Sequence, residues 1–234
     1  MLFSRLLSSW PSLCAVCRGW GEGAVCASCH ARYAHEVPRC ARCALQVPPD
    51  VAVCGACLKH PPVFDATRTG LDYAHPWSTL IARFKFHQAL DLATALVAPL
   101  RDHVRREAEA LPDVLLPVPL SRERLRERGY NQAWEATRRL ARGLGLACDA
   151  TLLLRLADRP HQLDLPPDER AANVRGVFAI EPLRRGELQG RHVAIVDDVM
   201  TTGATCNELA RVLKQAGAAR VEAWAIARTP RDAP

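Results

Sequence analysis

Two adjacent carboxylates, Asp197 and Asp198, follow the apolar run Val193-Ala194-Ile195-Val196 and precede Val199-Met200-Thr201-Thr202-Gly203-Ala204-Thr205. The short β-branched run reads as a buried central strand of a parallel sheet. The carboxyl end of such a strand is where open α/β sheets bind ligands, so both carboxylates are expected there, facing outward. Paired acceptors suit the vicinal hydroxyls of a ribose, or a Mg²⁺ ion that accompanies them. Thr201, Thr202 and Thr205 supply hydroxyl donors. Gly203 lets the backbone approach closely, and the helix opening there turns free N–H groups and its positive dipole end toward an anion. The sum is a pocket for ribose plus a 5′-phosphate. Neither a Gly-Lys-Ser/Thr loop nor a G-x-G-x-x-G turn is present in this stretch. Ordinary helix capping explains single Asp or Thr residues. It does not require two carboxylates followed by three threonines around one glycine.

The second chemical feature lies at the other end. Eight of the ten cysteines form four C-x-x-C knuckles, Cys14/Cys17, Cys26/Cys29, Cys40/Cys43 and Cys54/Cys57. One knuckle puts two thiolates on one face of a tight turn, and two knuckles make a tetrahedral Cys₄ zinc site. Four knuckles therefore make two zinc sites, and metal binding would let so short a segment fold. Sequential pairing, the favoured arrangement, gives two ribbons in tandem; interleaved pairing gives a cross-brace. A disulfide framework needs an oxidising compartment. The opening stretch from Met1 to Trp10 has no charged region, long apolar region and small-residue cleavage site in series. A cytoplasmic location is therefore expected. Iron–sulfur ligands bunch more closely than these knuckles do. Cys148 and Cys206 stand alone and read as small buried hydrophobes.

The elements that position these groups follow from periodicity. At 234 residues, with 49% apolar and 24% charged residues, the chain can hold one substantial domain and a small accessory one. No apolar run approaches the ~18 residues of a membrane span. The net charge of +6 comes from 28 arginines and 3 lysines against 25 acids, which is compatible with phosphate-bearing ligands. Residues 1–62 read as a double zinc ribbon ending in Pro61 and Pro62, and residues 63–234 as the larger domain. A strand is expected over Ala66–Tyr73. Trp77, Leu80, Ile81 and Phe84 mark one face of a helix, and Leu90–Ala108 continues helical. Val114–Val118 reads as a strand, Ser121–Arg128 as a highly charged stretch, Asn131–Leu144 as a helix, and Val174–Ile180 as a strand. The unit from His192 to Ala216 is strand, phosphate loop and helix, with Gly217 ending the helix. Val221–Ala227 is a last strand. Strands alternating with helices give an α/β fold with a largely parallel sheet flanked by helices.

Three further segments complete a pattern. They are Arg83-Phe84-Lys85-Phe86; Pro117-Val118-Pro119-Leu120 with Arg124 and Arg128-Gly129-Tyr130-Asn131-Gln132; and Gln162-Leu163-Asp164-Leu165 followed by Arg170, Asn173 and Phe178. With four knuckles in front and Asp-Asp-x-x-Thr-Thr-Gly behind, the order resembles the ComF/GntX family. That family joins a double zinc ribbon to a type I phosphoribosyltransferase-like domain. The resemblance covers nearly the whole chain. It implies that Asp197 and Asp198 serve the ribose hydroxyls and Mg²⁺ of phosphoribosyl pyrophosphate (PRPP), and that Thr201, Thr202, Gly203 and Thr205 hold its 5′-phosphate. Lys85 has two readings, a pyrophosphate-reaching ammonium or a solvated helix-face lysine. Arg128 is read as PRPP-binding, as is Lys85, whose flanking phenylalanines favour the first of its two readings. Arg122 and Arg126 are read as a solvated face offset by Glu123 and Glu127.

The resemblance also implies a part in handling single-stranded DNA during uptake in natural transformation. The surface expected for it combines Arg18, Arg32, Arg39 and Arg42 of the zinc module with Arg124, Arg128 and Tyr130. Arginine would track the backbone and the tyrosine would stack on a base. The alternative is an active phosphoribosyltransferase whose acceptor and catalytic residues the sequence does not identify.

Overall fold

The apolar runs become the strands of one parallel sheet. A computed structural model describes residues 11–156 and 176–231. A hairpin of β1 (Pro11–Leu13) and β2 (Trp20–Glu22) leads, followed by the short helices α1 (Ala27–Tyr33) and α2 (Gly55–Lys59). Next come β3 (Ala66–Asp72), α3 (Trp77–Phe86), α4 (Ala93–Glu107), β4 (Val114–Pro117), α5 (Arg122–Arg128) and α6 (Gln132–Leu144). The chain continues through β5 (Ala147–Cys148), β6 (Leu153–Arg155), β7 (Phe178–Ile180), β8 (His192–Met200), α7 (Ala204–Gln215) and β9 (Arg220–Arg228). The sheet order is β3-β9-β8-β4-β5, with every neighbouring pair parallel. β6 and β7 pair antiparallel beside it. No helix among the described residues is long and apolar enough to cross a membrane.

Alternation along β8 explains why both faces of the sheet are covered. Ala194 and Val196 join the core built from α3, α4 and α6, while Val193 and Ile195 join the core built on α7. A strand buried on both sides carries no polar face, as Val193–Val196 read. The helix face Trp77, Leu80, Ile81 and Phe84 is buried as its spacing predicts.

Three boundaries differ from the sequence reading. β8 does not stop at the carboxylates. It continues to Met200 because β9 runs alongside it, with Val199 opposite Ala227 and Met200 opposite Arg228. The charged stretch Ser121–Arg128 is a helix, because the Ser121 side chain accepts from the Arg124 N–H at 3.2 Å and Gly129 closes the helix at φ 78°. The strand expected over Val174–Ile180 is Phe178–Ile180, with Val174 and Arg175 outside the described residues. Gln162–Leu165, Arg170 and Asn173 also lie outside them.

Edge strand β3 crosses α4 at very short range. A Cβ on Gly70 would lie 2.3 Å from the Leu100 nitrogen and 2.6 Å from the Pro99 carbonyl carbon. Both obstacles are backbone, so the helix itself would have to move. Gly70→Ala is therefore expected to destabilise the protein by about 1–3 kcal/mol, as overpacking does. Denaturant unfolding checks this, and an unchanged midpoint would show that the helix moves freely.

Candidate functional site

The two carboxylates lie near the carboxyl end of β8, within the strand, and not as outward-facing groups. Asp198 is 3% exposed and Asp197 is partly buried. The expectation of surface carboxylates is corrected by the continuation of β8 and β9 past them. Asp198 Oδ1 accepts from its neighbour Val199 N–H at 2.6 Å and pairs with Lys85 Nζ at 2.9 Å. Asp198 Oδ2 is buried with no hydrogen-bond partner among the described residues. An orphaned buried acceptor costs roughly 1–3 kcal/mol, which a ligand donor or cation would remove. Asp197 Oδ1 accepts the Asp198 N–H at 2.8 Å. Burial, and then the charge of Asp198, push the Asp197 carboxyl up to about 7, against the opposing pull of Lys85.

The loop beyond is built on Gly203, whose φ is 82°. A Cβ there would be strained by that conformation and would lie 2.6 Å from the Met200 methyl. Thr201 and Thr202 are exposed and Thr205 is partly buried in the first turn of α7. Thr202 Oγ accepts from Ala204 N–H at 3.3 Å. Two exposed hydroxyls thus stand over a helix N-terminus with uncommitted N–H groups, which suits a phosphate.

Lys85 reaches Asp198 because α3 is clasped at its carboxyl end. The Tyr130 hydroxyl donates to the Phe84 carbonyl, and the two rings pack at 6.1 Å. The Arg128 guanidinium lies 4.9 Å over the Phe86 ring. Asn131 caps α6 by accepting from Ala133 and Trp134 N–H groups, and it donates to the Val118 carbonyl at 3.0 Å. The Arg-Gly-Tyr-Asn segment therefore holds the helix that carries Lys85.

The cysteines form two groups in sequence order, Cys14/Cys17/Cys26/Cys29 and Cys40/Cys43/Cys54/Cys57, each with its sulfurs within 4.8 Å of one another. A tetrahedral zinc site with bonds of about 2.3 Å has sulfur–sulfur edges of about 3.8 Å. The Cys17–Cys26 and Cys43–Cys54 sulfurs are 3.8 and 3.7 Å apart. Burial opposes ionisation of Cys14, yet backbone N–H donors outweigh it and bring the thiol down to about 6. Burial and the neighbouring sulfurs push Cys29 up to about 12. In the second group, N–H and thiol donors outweigh burial and lower Cys54 to about 7, while burial raises Cys57 and Cys43. Four crowded thiols that resist joint ionisation are what a divalent cation resolves. Both groups fit zinc.

The arginines assigned to nucleic acid are mostly committed elsewhere. The second knuckle pair docks on β3, which turns its arginines inward. Arg39 pairs with Asp72 at 2.8 Å and its side chain is 12% exposed. Arg42 donates to the Asp65 carbonyl at 2.9 Å. Tyr130 is held by Phe84, as described. Arg18 and Arg32 remain exposed, and Arg124 is partly exposed on α5. Cys206 is buried and its thiol is pushed up by burial, as its reading as a small hydrophobe expects. Sequence reasoning missed Trp20, 75% exposed and paired across the hairpin with Leu13, which is 53% exposed. An aromatic residue between the first two knuckles was the available signal. It also missed the buried Arg228, for which the sequence held no signal.

Comparison with known proteins agrees with this geometry. Residues 162–234 match the phosphoribosyl transferase domain. The chain is 34% identical to DNA utilization protein YhgH of Salmonella typhimurium, over 94% of this chain and 98% of that protein. It is 32% identical to Competence protein F of Haemophilus influenzae, over 92% and 96%. It is 28% identical to Competence protein ComFC of Bacillus subtilis, over 88% and 84%.

Two outcomes follow from the site. Elemental analysis of purified protein is expected to find about two zinc ions per chain, and stripping them should unfold the knuckles. Values near zero, or iron with visible colour, would overturn the metal assignment. For Asp197, the native carboxyl holds its proton to higher pH than the unfolded one. Its contribution to stability is present at low pH and is lost as pH rises from the ordinary carboxylate range through about 7. Asp197→Asn should therefore raise stability by about 1–3 kcal/mol at pH 8 and change it little at pH 4. Equal effects at both pH values would contradict the raised carboxyl.

Proposed function

The chain belongs to the ComF family of competence and DNA-utilization proteins, and on that premise we propose that it binds PRPP at the Asp197–Thr205 loop and handles single-stranded DNA during DNA uptake, in the cytoplasm. The observation that carries the PRPP reading is the buried, unpaired Asp198 Oδ2 beside Lys85, with a phosphate-suited helix N-terminus following in the same loop. Asp197 and Asp198 accept the ribose hydroxyls, and Thr201, Thr202, Gly203 and Thr205 take the 5′-phosphate. Lys85, paired with Asp198, supplies positive charge near the diphosphate. Mg²⁺ bound with PRPP would neutralise diphosphate charge at the same acidic pair. The reducing cytoplasm keeps the cysteines available as metal ligands.

The DNA reading rests on family membership and on the exposed hairpin. Trp20 offers a free aromatic face beside Arg18, and α5 presents Arg122, Arg124 and Arg126. Stacking and backbone tracking together suit single strands without sequence preference. The second reading is an active phosphoribosyltransferase, favoured by Asp197 being held at about 7. Such a carboxyl can accept the acceptor's proton near neutral pH while the bond from ribose C1 to pyrophosphate breaks and that to the acceptor forms.

Calorimetry with PRPP and Mg²⁺, and anisotropy with labelled single-stranded DNA over a salt series, test both readings. Asp197→Asn with Asp198→Asn should abolish PRPP binding and spare DNA binding. Trp20→Ala should weaken DNA binding by about 5- to 100-fold, in line with one lost base stack, and spare PRPP. No DNA binding by the wild-type chain at low salt, with pyrophosphate released in the presence of an acceptor, would establish the enzyme instead.

A further inference from the structure

One guanidinium joins the second thiolate group to the phosphate loop. Arg228 ends β9 and is 4% exposed. Its Nε donates to the Cys43 carbonyl at 2.8 Å. Its Nη1 donates to the Met200 and Thr229 carbonyls, each at 2.9 Å, and to the Thr201 carbonyl. Cys43 belongs to the second Cys₄ group. Met200 and Thr201 are the residues at which β8 gives way to the loop. Among the described residues, these hydrogen bonds all end on carbonyl oxygens and none on a carboxylate. The guanidinium therefore ties the Cys43 backbone directly to the loop carbonyls and places its positive charge beneath the loop.

We propose that Arg228 is a positioning residue that makes the anion affinity of the phosphate loop depend on metal in the Cys40/Cys43/Cys54/Cys57 group. The inference rests on the phosphate-loop reading above. Metal fixes the Cys43 residue, and with it the carbonyl that anchors one edge of the guanidinium. The knuckle carrying that carbonyl is seated on β3 by Arg42 Nη1 to the Asp65 carbonyl at 2.9 Å, by Thr67 Oγ to the Arg42 carbonyl at 2.6 Å, and by the Arg39–Asp72 pair at 2.8 Å. β3 is the neighbour of β9. Loss of metal releases the knuckle. Arg228 then loses its Nε acceptor, and the two loop carbonyls lose the fixed fork that held them. The first thiolate group has a different attachment. It packs against the core beside Trp77, whose Nε1 donates to the Tyr33 carbonyl at 2.7 Å.

The test uses Cys57→Ser, Arg228→Met, their double variant and Arg228→Lys in the full chain. The readouts are zinc per chain, hydrogen exchange at residues 200–205 without ligand, and PRPP affinity. Cys57→Ser should lose about one zinc, speed loop exchange and weaken PRPP binding by about 10-fold. Arg228→Met should keep both zinc ions and produce the same loop and PRPP changes. The double variant should be no worse than either single one, because both cut the same link. Arg228→Lys should fall between wild type and Arg228→Met, since it keeps the charge and loses the fork. By linkage, PRPP should raise the zinc affinity of the second group in the unmutated protein by the same factor, which decides the matter if Arg228→Met fails to fold. Additive losses in the double variant, unchanged loop exchange in Cys57→Ser, or zinc affinity indifferent to PRPP would overturn the proposal. If wild-type protein binds no PRPP, the phosphate-loop reading fails, and the exchange results alone decide whether knuckle and loop are coupled.

Discussion

Two carboxylates side by side at the end of a doubly buried strand set the constraint on which the rest of this site depends. Asp197 and Asp198 repel each other in a place with little water to screen them, and backbone donors on the strand relieve only part of the charge. One cation must be delivered to Asp198, and Lys85 arrives from the end of α3. A buried ion pair holds only with good geometry. The clasp of Arg128 and Tyr130 on the end of α3 supplies it. Even so, one carboxylate oxygen stays without a donor and one carboxyl is held near neutrality. The unligated site therefore retains unfavourable electrostatics that hydroxyls and cations of a ligand would relieve.

The thiolate groups solve a different problem. Few side chains other than the cysteines pack within the second knuckle pair, where Leu45, Val47 and Val53 are its partly buried partners. Metal coordination would hold each group together, and docking on the sheet domain gives it a fixed place. The two groups dock differently. Cys14, Val25 and Cys29 merge with the main apolar core, whereas the second group is fastened by polar contacts to the edge strand β3 and, through Arg228, to the phosphate loop. Apolar packing transmits little directional constraint. Hydrogen bonds to a planar fork transmit it well.

The excess of arginine does not make a uniformly basic surface. Arg138 and Arg139 share Glu135, Arg211 takes Glu208, Arg184 bridges Asp149 and Glu187, and Arg220 meets the buried Glu222. Glu222 also accepts from Trp224 Nε1 at 2.9 Å, near the end of the sheet where β9 begins, away from the phosphate loop. These pairs spend positive charge on local structure. Exposed arginines among the described residues include Arg18 on the hairpin, Arg32 on α1, Arg122 and Arg126 on α5, Arg142 on α6, and Arg191. A net charge of +6 would thus act on a polyanion at a few places rather than over the whole molecule.

Local spacing made much of this legible in the sequence. C-x-x-C pairs set thiolates on tight turns, so two Cys₄ groups followed from the spacing, while the structure decided between sequential and interleaved pairing in favour of the sequential one. Alternating strands and helices gave the parallel sheet, and the run Val193–Val196 followed by Asp-Asp and Thr-Thr-Gly located the loop. These features depend on residues a few positions apart, where backbone geometry leaves few options. What only the tertiary structure decided depends on partners far apart in sequence. Lys85 is brought to Asp198, Arg39 is turned inward by Asp72, and Tyr130 is taken from the surface by Phe84. The depth of Asp198 is set by β9 running past it, and the role of Arg228 by a carbonyl in a knuckle at the other end of the chain. A side chain's type and neighbours in sequence state what it can bond. Which bond forms is decided by what the fold places within about 3 Å of it.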